Sequence, residues 1–111
     1  MNCRTREELE TRIADYLLFC YRGRSAARAG ELSSFLMIDR HALSRLAKRL
    51  FNLTPKAVLT NMQLVLAARL LRDPTIAIDE VAARAGFGVR RSFDRAFKNR
   101  FSCSPEAFRQ A

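Results

Sequence analysis

The sequence predicts an all-α protein of about seven helices, and three observations support that fold class. Apolar residues recur every three or four positions along most of the chain, and no segment alternates polar and apolar residues for long enough to indicate a strand. A hydroxyl residue precedes proline at Thr54 and again at Ser104, a pattern that is typical of a capped helix start. Finally, residues 45–58 and 95–108 share arginine, lysine, phenylalanine, proline and alanine in register, so one helical plan is written twice.

The first half of the chain contains three predicted helices. The first begins at Arg6, carries apolar residues on one face and ends at Gly23. The second covers residues 26–38, and the third follows Asp39, whose carboxylate suits a helix N-cap. The apolar faces are expected to contain Leu9, Ile13, Tyr16, Leu17 and Cys20, then Ala29, Leu32, Phe35 and Leu36, and then Leu43, Leu46, Ala47 and Leu50.

A long helix over residues 55–72 is predicted to bridge the two halves. It is apolar over most of its circumference, so we expect it to be buried, and Pro74 disfavours helix in the residue before it. Three shorter helices follow, within residues 78–87, within residues 90–101 and from Pro105 onward. The predicted organisation is an N-terminal helix (1–24), a first module (25–54), the bridging helix (55–73), and a second module with a closing helix (74–111).

Composition limits the kinds of function that this chain can have. A net charge of +9 and a pI near 10.7 in 111 residues indicate a polyanionic partner, either nucleic acid or an anionic membrane surface. No apolar stretch is long enough to cross a bilayer, and the charged N-terminus does not resemble a signal peptide. We therefore expect a cytoplasmic protein with no membrane partner.

Enzyme activity and metal binding are not expected. Cys3, Cys20 and Cys103 form no C-x-x-C pair, which predicts reduced thiols rather than disulfides or a zinc site. His41 is the only histidine, and the sequence contains no phosphate loop and no nucleophile with a neighbouring base. We therefore predict no catalytic residue and no cofactor.

The helix after Gly86 carries a basic stripe. Arg91, Arg95 and Lys98 lie at i, i+4 and i+7 and project from one side. A small residue, Ala82, and a glycine that permits positive φ precede this helix, which is the plan of a helix-turn-helix. The packed side is predicted to contain Val89, Phe93, Ala96 and Phe97, and with Phe87 and Phe101 these phenylalanines are expected to be core rather than base-stacking platforms.

The earlier copy of the repeat carries an equivalent stripe. Both stripes follow a predicted turn, so the sequence predicts two helix-turn-helix subdomains bridged by the long apolar helix. Arginines near the start of the second helix of such a motif reach guanine edges, and lysines hold phosphates, so we expect double-stranded DNA as the partner. The outward residues of this copy are His41, Arg45 and Lys48, flanked by Arg40, Ser44 and Arg49.

Residues 78–109, which read IDEVAARAGFGVRRSFDRAFKNRFSCSPEAFR, resemble the second helix-turn-helix of the AraC/XylS family of bacterial transcription regulators. The resemblance extends more weakly back to about Ala26. It implies a sequence-specific regulator that more often activates than represses and that contacts RNA polymerase at the promoter. The candidate DNA-binding residues are then Arg90, Arg91, Ser92, Arg95 and Lys98 in the second motif, and Arg40, His41, Ser44, Arg45 and Lys48 in the first.

Several residues depart from the family pattern. In the first module Met37 and Asn52 stand where glycine is common, Ser33 where alanine is usual, and Ala47 where phenylalanine is common. These departures predict a first module that is altered either in geometry or in its DNA contacts. Two other replacements are expected to be tolerated, Ser102 for glycine and Gln63 for arginine.

Two other functions fit the same composition. A basic architectural protein would bind phosphates without sequence preference, and a protein-interaction module could have lost DNA reading in its first half. The leading prediction is a regulator that places two recognition helices in successive major-groove segments and reads an asymmetric site as a monomer. The family resemblance is compatible with a stand-alone regulator and with the DNA-binding part of a longer one.

Overall fold

The structure, a computed structural model, describes residues 3–111 and confirms the all-α prediction. Within those residues it contains seven helices and no strand. None of the helices in that range is long and apolar enough to cross a membrane. The helices are α1 (Arg6–Arg22), α2 (Ala29–Leu36), α3 (Arg40–Phe51), α4 (Pro55–Leu71), α5 (Ile78–Arg84), α6 (Arg90–Phe101) and α7 (Pro105–Gln110).

Two hydrophobic clusters make up the core, and α4 runs through both. Val58 and Leu59 of its first half pack with residues of α1, α2 and α3. Leu64, Ala67 and Leu71 of its second half pack with residues of α5 and α6. The helix is therefore surrounded by other elements, as its apolar circumference predicts, and each module is built around one half of it.

Side-chain caps fix the helix starts that the sequence indicates. The Asp39 carboxylate accepts hydrogen bonds from the backbone N–H groups of residues 41 and 42 at the start of α3. The Oγ1 of Thr54 accepts at 3.2 Å from a backbone N–H of α4, and the Oγ of Ser104 accepts at 3.1 Å from one of α7. Each of these caps stabilises its helix by ~1 kcal/mol.

The internal repeat is present in the backbone as well as in the sequence. Met37 and Gly86 occupy equivalent turns, and both have positive φ, 58° and 86°. Asn52 and Ser102 end α3 and α6 and are also left-handed, with φ of 58° and 62°. The first module keeps the turn geometry of the second although methionine and asparagine stand where glycine is usual. The predicted change of geometry is therefore not found at these turns.

Helix α2 begins at Ala29, three residues later than the sequence predicts. The backbone N–H of Ala27 instead donates to the carbonyl of Gly86 at 2.8 Å. The Tyr16 hydroxyl holds the same segment, since it donates to the Arg28 carbonyl at 3.1 Å and accepts from the Arg28 N–H at 2.9 Å. Burial raises the pKa of Tyr16 to about 12, so this hydroxyl keeps its proton at neutral pH.

A close packing contact at Gly86 joins the two modules. A Cβ at this buried glycine would lie 3.0 Å from Leu17 Cδ2, 3.1 Å from Ala27 Cβ and 3.3 Å from Gln63 Nε2. These neighbours belong to α1, to the segment before α2 and to α4. The turn of the second helix-turn-helix is therefore packed against three parts of the chain outside that motif.

Helix α1 contacts both modules. It packs against α2 of the first module, against α5 of the second, and against α4 between them. The Tyr21 hydroxyl donates to the Glu80 carboxylate of α5 at 3.0 Å, and the Arg84 guanidinium lies over the Tyr21 ring at 5.9 Å from its centroid. Helix α1 therefore ties the two modules together.

One residue that the sequence places in the core lies at the surface. Val89 is predicted on the packed side of α6, but it is the N-cap of that helix and is 60% exposed. The rotation of 100° per residue applies only inside a helix, and the extended backbone of Val89 comes before the first turn.

Replacing Gly86 with alanine tests the junction between the modules. We expect Gly86→Ala to lower the free energy of unfolding by about 2–4 kcal/mol, because a new Cβ would add steric overlap to a left-handed backbone. Urea denaturation measures this loss. Gly30→Ala is the matched control and should not lower stability, because a Cβ there meets nothing within 4 Å. Equal effects of the two substitutions would contradict the proposed junction.

Candidate nucleic-acid interface

Aromatic packing holds α6 in the second module. Phe93 and Phe97 are fully buried, and their ring centroids lie 5.6 Å apart. Phe101 and Phe108 lie 4.5 Å and 5.2 Å from Phe97, and Phe87 lies 5.2 Å from Phe93. Phe93 and Phe97 are thus core residues, as predicted, and the half-buried Phe87 and Phe101 pack against the same cluster, so one face of α6 is committed to the interior.

The opposite face of α6 presents the predicted basic stripe. Arg91, Ser92, Arg95 and Lys98 are all exposed. None of the ion pairs within residues 3–111 involves them, so the three positive charges face solvent without a carboxylate partner. Exposed arginine, lysine and serine side chains within two turns of one helix supply the donors that DNA phosphates and base edges accept.

Helix α3 presents the equivalent surface in the first module. Leu43 and Ala47 are buried in the core, and Leu46 and Leu50 pack against it. The small side chain of Ala47 takes the place that Phe97 has in α6, so this helix is held with less aromatic packing. The outward residues Arg40, His41, Ser44, Arg45 and Lys48 are all exposed, and the ion pairs of the described chain do not include them.

Arg90 differs from the other predicted DNA-binding residues because its guanidinium binds three carboxylates. Its Nε donates to Asp94 at 2.9 Å, its Nη1 to Asp79 at 2.7 Å, and its Nη2 to Glu106 at 2.5 Å. Asp94 and Asp79 raise the pKa of Arg90 above its ordinary value, so its positive charge is secure. With all three nitrogens engaged within the protein, Arg90 joins α5, α6 and α7, and its contact with DNA stays a prediction.

Part of this cluster has a signal in the sequence and part does not. Arg90 and Asp94 are four residues apart, a spacing that brings side chains together on a helix. Asp79 lies 11 residues before Arg90 and Glu106 lies 16 residues after it, and only the fold brings them to the same guanidinium. The sequence explains the acids at the start of α5 by the helix dipole, whereas the structure gives Asp79 and Glu80 specific partners.

The other groups for which the sequence makes a prediction are the cysteines and the possible metal ligands. Cys3 and Cys20 are buried and Cys103 is half-buried, all as free thiols. Within residues 3–111, no three His, Cys, Asp or Glu side chains are grouped so that they could hold one metal ion.

The two basic helices lie in different halves of an elongated molecule. Helix α3 packs on the first half of α4, and α6 packs with the second half. The molecule measures 40 × 28 × 21 Å. Its long dimension exceeds the roughly 34 Å between successive major-groove segments on one face of a duplex.

Comparison with known proteins agrees with this arrangement. The AraC-type family described as "Helix-turn-helix domain" matches residues 32–111. The chain belongs to the AraC/XylS family.

Two curated AraC/XylS relatives are transcriptional activators. The chain is 30% identical over 79 residues to the RCS-specific HTH-type transcriptional activator RclR of Escherichia coli strain K12. It is 37% identical over 73 residues to the HTH-type transcriptional activator RhaS of Enterobacter sp. strain 638. These alignments cover 71% and 66% of this chain but only 28% and 26% of the relatives. The chain thus spans less than a third of the length of these relatives.

Solved AraC/XylS domains share the fold. The C-terminal domain of AraT, a response regulator from Geobacillus stearothermophilus, matches with a TM-score of 0.72 at 25% identity, over 92% of this chain and 84% of that one. The DNA-binding domain of AdpA, a global transcriptional factor solved in complex with a target DNA, matches with a TM-score of 0.69 at 23% identity. That second match covers 88% of this chain and 89% of the other.

Removing Arg90 tests its structural role. We expect Arg90→Ala to lower the free energy of unfolding by about 1 kcal/mol at low salt, because three partly exposed carboxylates lose their shared cation. Added sodium chloride should reduce the loss, since salt screens the repulsion among the carboxylates. Urea denaturation at two salt concentrations measures both effects.

Arg91→Ala is the control for this experiment. It removes the same charge from the same helix but breaks none of the ion pairs found in residues 3–111, so stability should change by less than about 0.5 kcal/mol. An Arg91→Ala loss as large as that of Arg90→Ala would show that the carboxylate cluster is not what holds α6.

Proposed function

We propose that this chain acts as a sequence-specific transcription regulator that binds double-stranded DNA. The observation that carries the proposal is the pair of helices α3 and α6. Each is the second helix of a helix-turn-helix, and each presents an exposed basic stripe that lies outside the ion pairs of residues 3–111. The relatives RclR and RhaS, both named as activators, favour activation over repression.

The two recognition helices are proposed to enter successive major-groove segments on one face of the duplex. Helices α1 and α4 contact both modules and so keep the recognition helices α3 and α6 in one packed unit. One chain then performs the task that other helix-turn-helix proteins perform as dimers. The outward residues of α3 and α6 differ, so the site is asymmetric and a monomer is sufficient to bind it.

Base reading in the second module is assigned to the exposed arginines of α6. Arg91 and Arg95 each carry a planar guanidinium, which donates to O6 and N7 of guanine at the same time. Ser92 lies between them and donates to either a base or a phosphate. Lys98 lies one turn beyond Arg95 and is assigned to a backbone phosphate, where a flexible point charge suffices.

In the first module, arginine is likewise assigned to the bases and lysine to a backbone phosphate. Arg45 corresponds to Arg95 in the repeat, and Lys48 corresponds to Lys98. The outward residues nearer the start of α3, which we assign to the groove edge and the neighbouring phosphates, are Arg40, His41 and Ser44.

RNA polymerase at the promoter is the second proposed partner. The support is the family membership and the activator relatives, since an activator that is bound beside a promoter acts on the polymerase. A cytoplasmic location follows from the same proposal, because that is where bacterial promoters are transcribed. Family members regulate transcription by binding DNA, and we assign no reaction to this chain.

A competition experiment tests sequence-specific binding. We expect a duplex selected from random DNA to be bound at least ~10³-fold more tightly than random competitor. A sequence-neutral architectural protein would show nearly equal affinities. Fluorescence anisotropy at a fixed salt concentration gives the ratio, and the salt must be held constant because both kinds of protein lose affinity as it rises.

Variants of the two stripes then separate the proposed roles. Arg95→Ala should cost about 1–3 kcal/mol on the selected duplex and relax the preference at one base pair, whereas Lys98→Ala should weaken binding to all sequences alike. Arg45→Ala and Lys48→Ala should behave in the same two ways. If the first-module pair leaves affinity unchanged, that module does not read DNA, and the protein-interaction alternative gains support.

A further inference from the structure

A basic cleft lies beside α3, where the segment before α1 meets that helix. Its volume is about 540 Å³, and three arginines from two parts of the chain line it, Arg4, Arg45 and Arg49. Within residues 3–111, no carboxylate lines the cleft and no ion pair includes these arginines. Its other lining residues are Cys3, Ile38, Ala42 and Leu46.

The segment that carries Arg4 is anchored rather than loose. Cys3 is buried against the first hydrophobic cluster. The Thr5 hydroxyl accepts from the Glu8 N–H at 3.1 Å, and the Glu8 carboxylate accepts from the Arg4 N–H at 3.3 Å. These reciprocal caps fix the backbone at the start of α1. The exposed Arg4 side chain therefore stands at a defined place on the rim of the cleft.

We propose that this cleft binds one phosphate of the DNA backbone beside the first recognition helix. The inference rests on the proposed function, because Arg45 belongs to both the cleft and the basic stripe of α3. A helix that enters the groove brings its flanks against the sugar-phosphate backbone, where the guanidiniums of Arg4 and Arg49 meet a phosphate beside the base-reading Arg45.

The chemistry of the lining residues fits a phosphodiester. A guanidinium donates two parallel hydrogen bonds to phosphate oxygens, and arginine is favoured over lysine where that geometry matters. Arg49 lies one turn beyond Arg45 on α3, and Arg4 lines the cleft from the segment before α1. Donors on two sides of the cleft can therefore bind the same phosphate. Inorganic phosphate offers the same oxygens, and the two sources must be separated by experiment.

The salt dependence of DNA binding tests the cleft. On the selected duplex, Arg4→Ala and Arg49→Ala should each reduce the steepness of log K against log salt by up to about 0.9. The double variant should lose about 0.9 and not twice that value, because both side chains hold one phosphate. Arg4→Lys should keep the wild-type slope, and base preference should be unchanged in every variant.

Arg22→Ala is the matched control, since it removes the same charge at the other end of α1 and should leave the slope as in the wild type. If both alanine variants keep the wild-type slope of log K against log salt and still bind the selected duplex specifically, the phosphate assignment of the cleft is wrong. The proposed function is then unaffected. A wild-type protein that shows no sequence preference would overturn both.

A second arm uses inorganic phosphate and the DNA-free protein. Arginine Nε–H signals are followed by NMR in the wild type and in the double variant Arg4→Ala, Arg49→Ala. As phosphate is added, the chemical shifts of these signals should change only slightly and without saturation. The proposal assigns the cleft to a phosphate of the duplex backbone, not to free phosphate. Saturable shifts that the double variant lacks, together with unchanged DNA slopes, would assign the cleft to free phosphate and overturn the proposal.

Discussion

The close contact at Gly86 is the constraint on which the rest of the structure depends. Side chains of Leu17, Ala27 and Gln63 converge on this one residue, and each would crowd a Cβ placed there. They come from α1, from the segment before α2 and from α4, so the turn that aims α6 is set by parts of the chain outside its own motif. The two helix-turn-helix motifs consequently form one packed body. A preorganised body loses less conformational freedom when it binds two groove segments at once.

The distribution of charge follows from the same arrangement. The chain has 20 basic and 11 acidic residues, but acids gather at the start of α6, where Asp79, Asp94 and Glu106 share the Arg90 guanidinium. A carboxylate without this partner would repel DNA phosphates beside the recognition helix. Because Arg90 offsets part of that charge, the helix can be fixed by ion pairs on one side and remain cationic on its outward face.

Local features of the fold can be predicted from the sequence. Helical periodicity and capping residues locate the helices, because a 3.6-residue repeat and a cap such as Thr54 act within a few residues. The same periodicity correctly separates the buried face of α6 from its exposed basic stripe. Tertiary effects are not predictable in this way. The late start of α2 depends on hydrogen bonds to Tyr16 and Gly86, which lie far away in the chain.

The candidate site shows the same limit. Exposure of Arg91, Arg95 and Lys98 follows from helix geometry, whereas the partners of Arg90 come from three helices. Met37 adopts positive φ because its module requires that turn, although methionine disfavours it. In both cases, packing between segments that are distant in the sequence determines the side-chain partners or the backbone angle, which local preferences do not determine.

Binding to duplexes in which the two half-sites are moved apart one base pair at a time tests the central claim most directly. The half-sites come from sequences selected by the protein itself. If α3 and α6 form one rigid reader, affinity should have a single sharp optimum near one helical turn, ~10–10.5 base pairs from centre to centre. Insertion of about half a turn should reduce affinity to that of one half-site. Affinity that is independent of spacing, or a selected motif with one half-site only, would contradict the account.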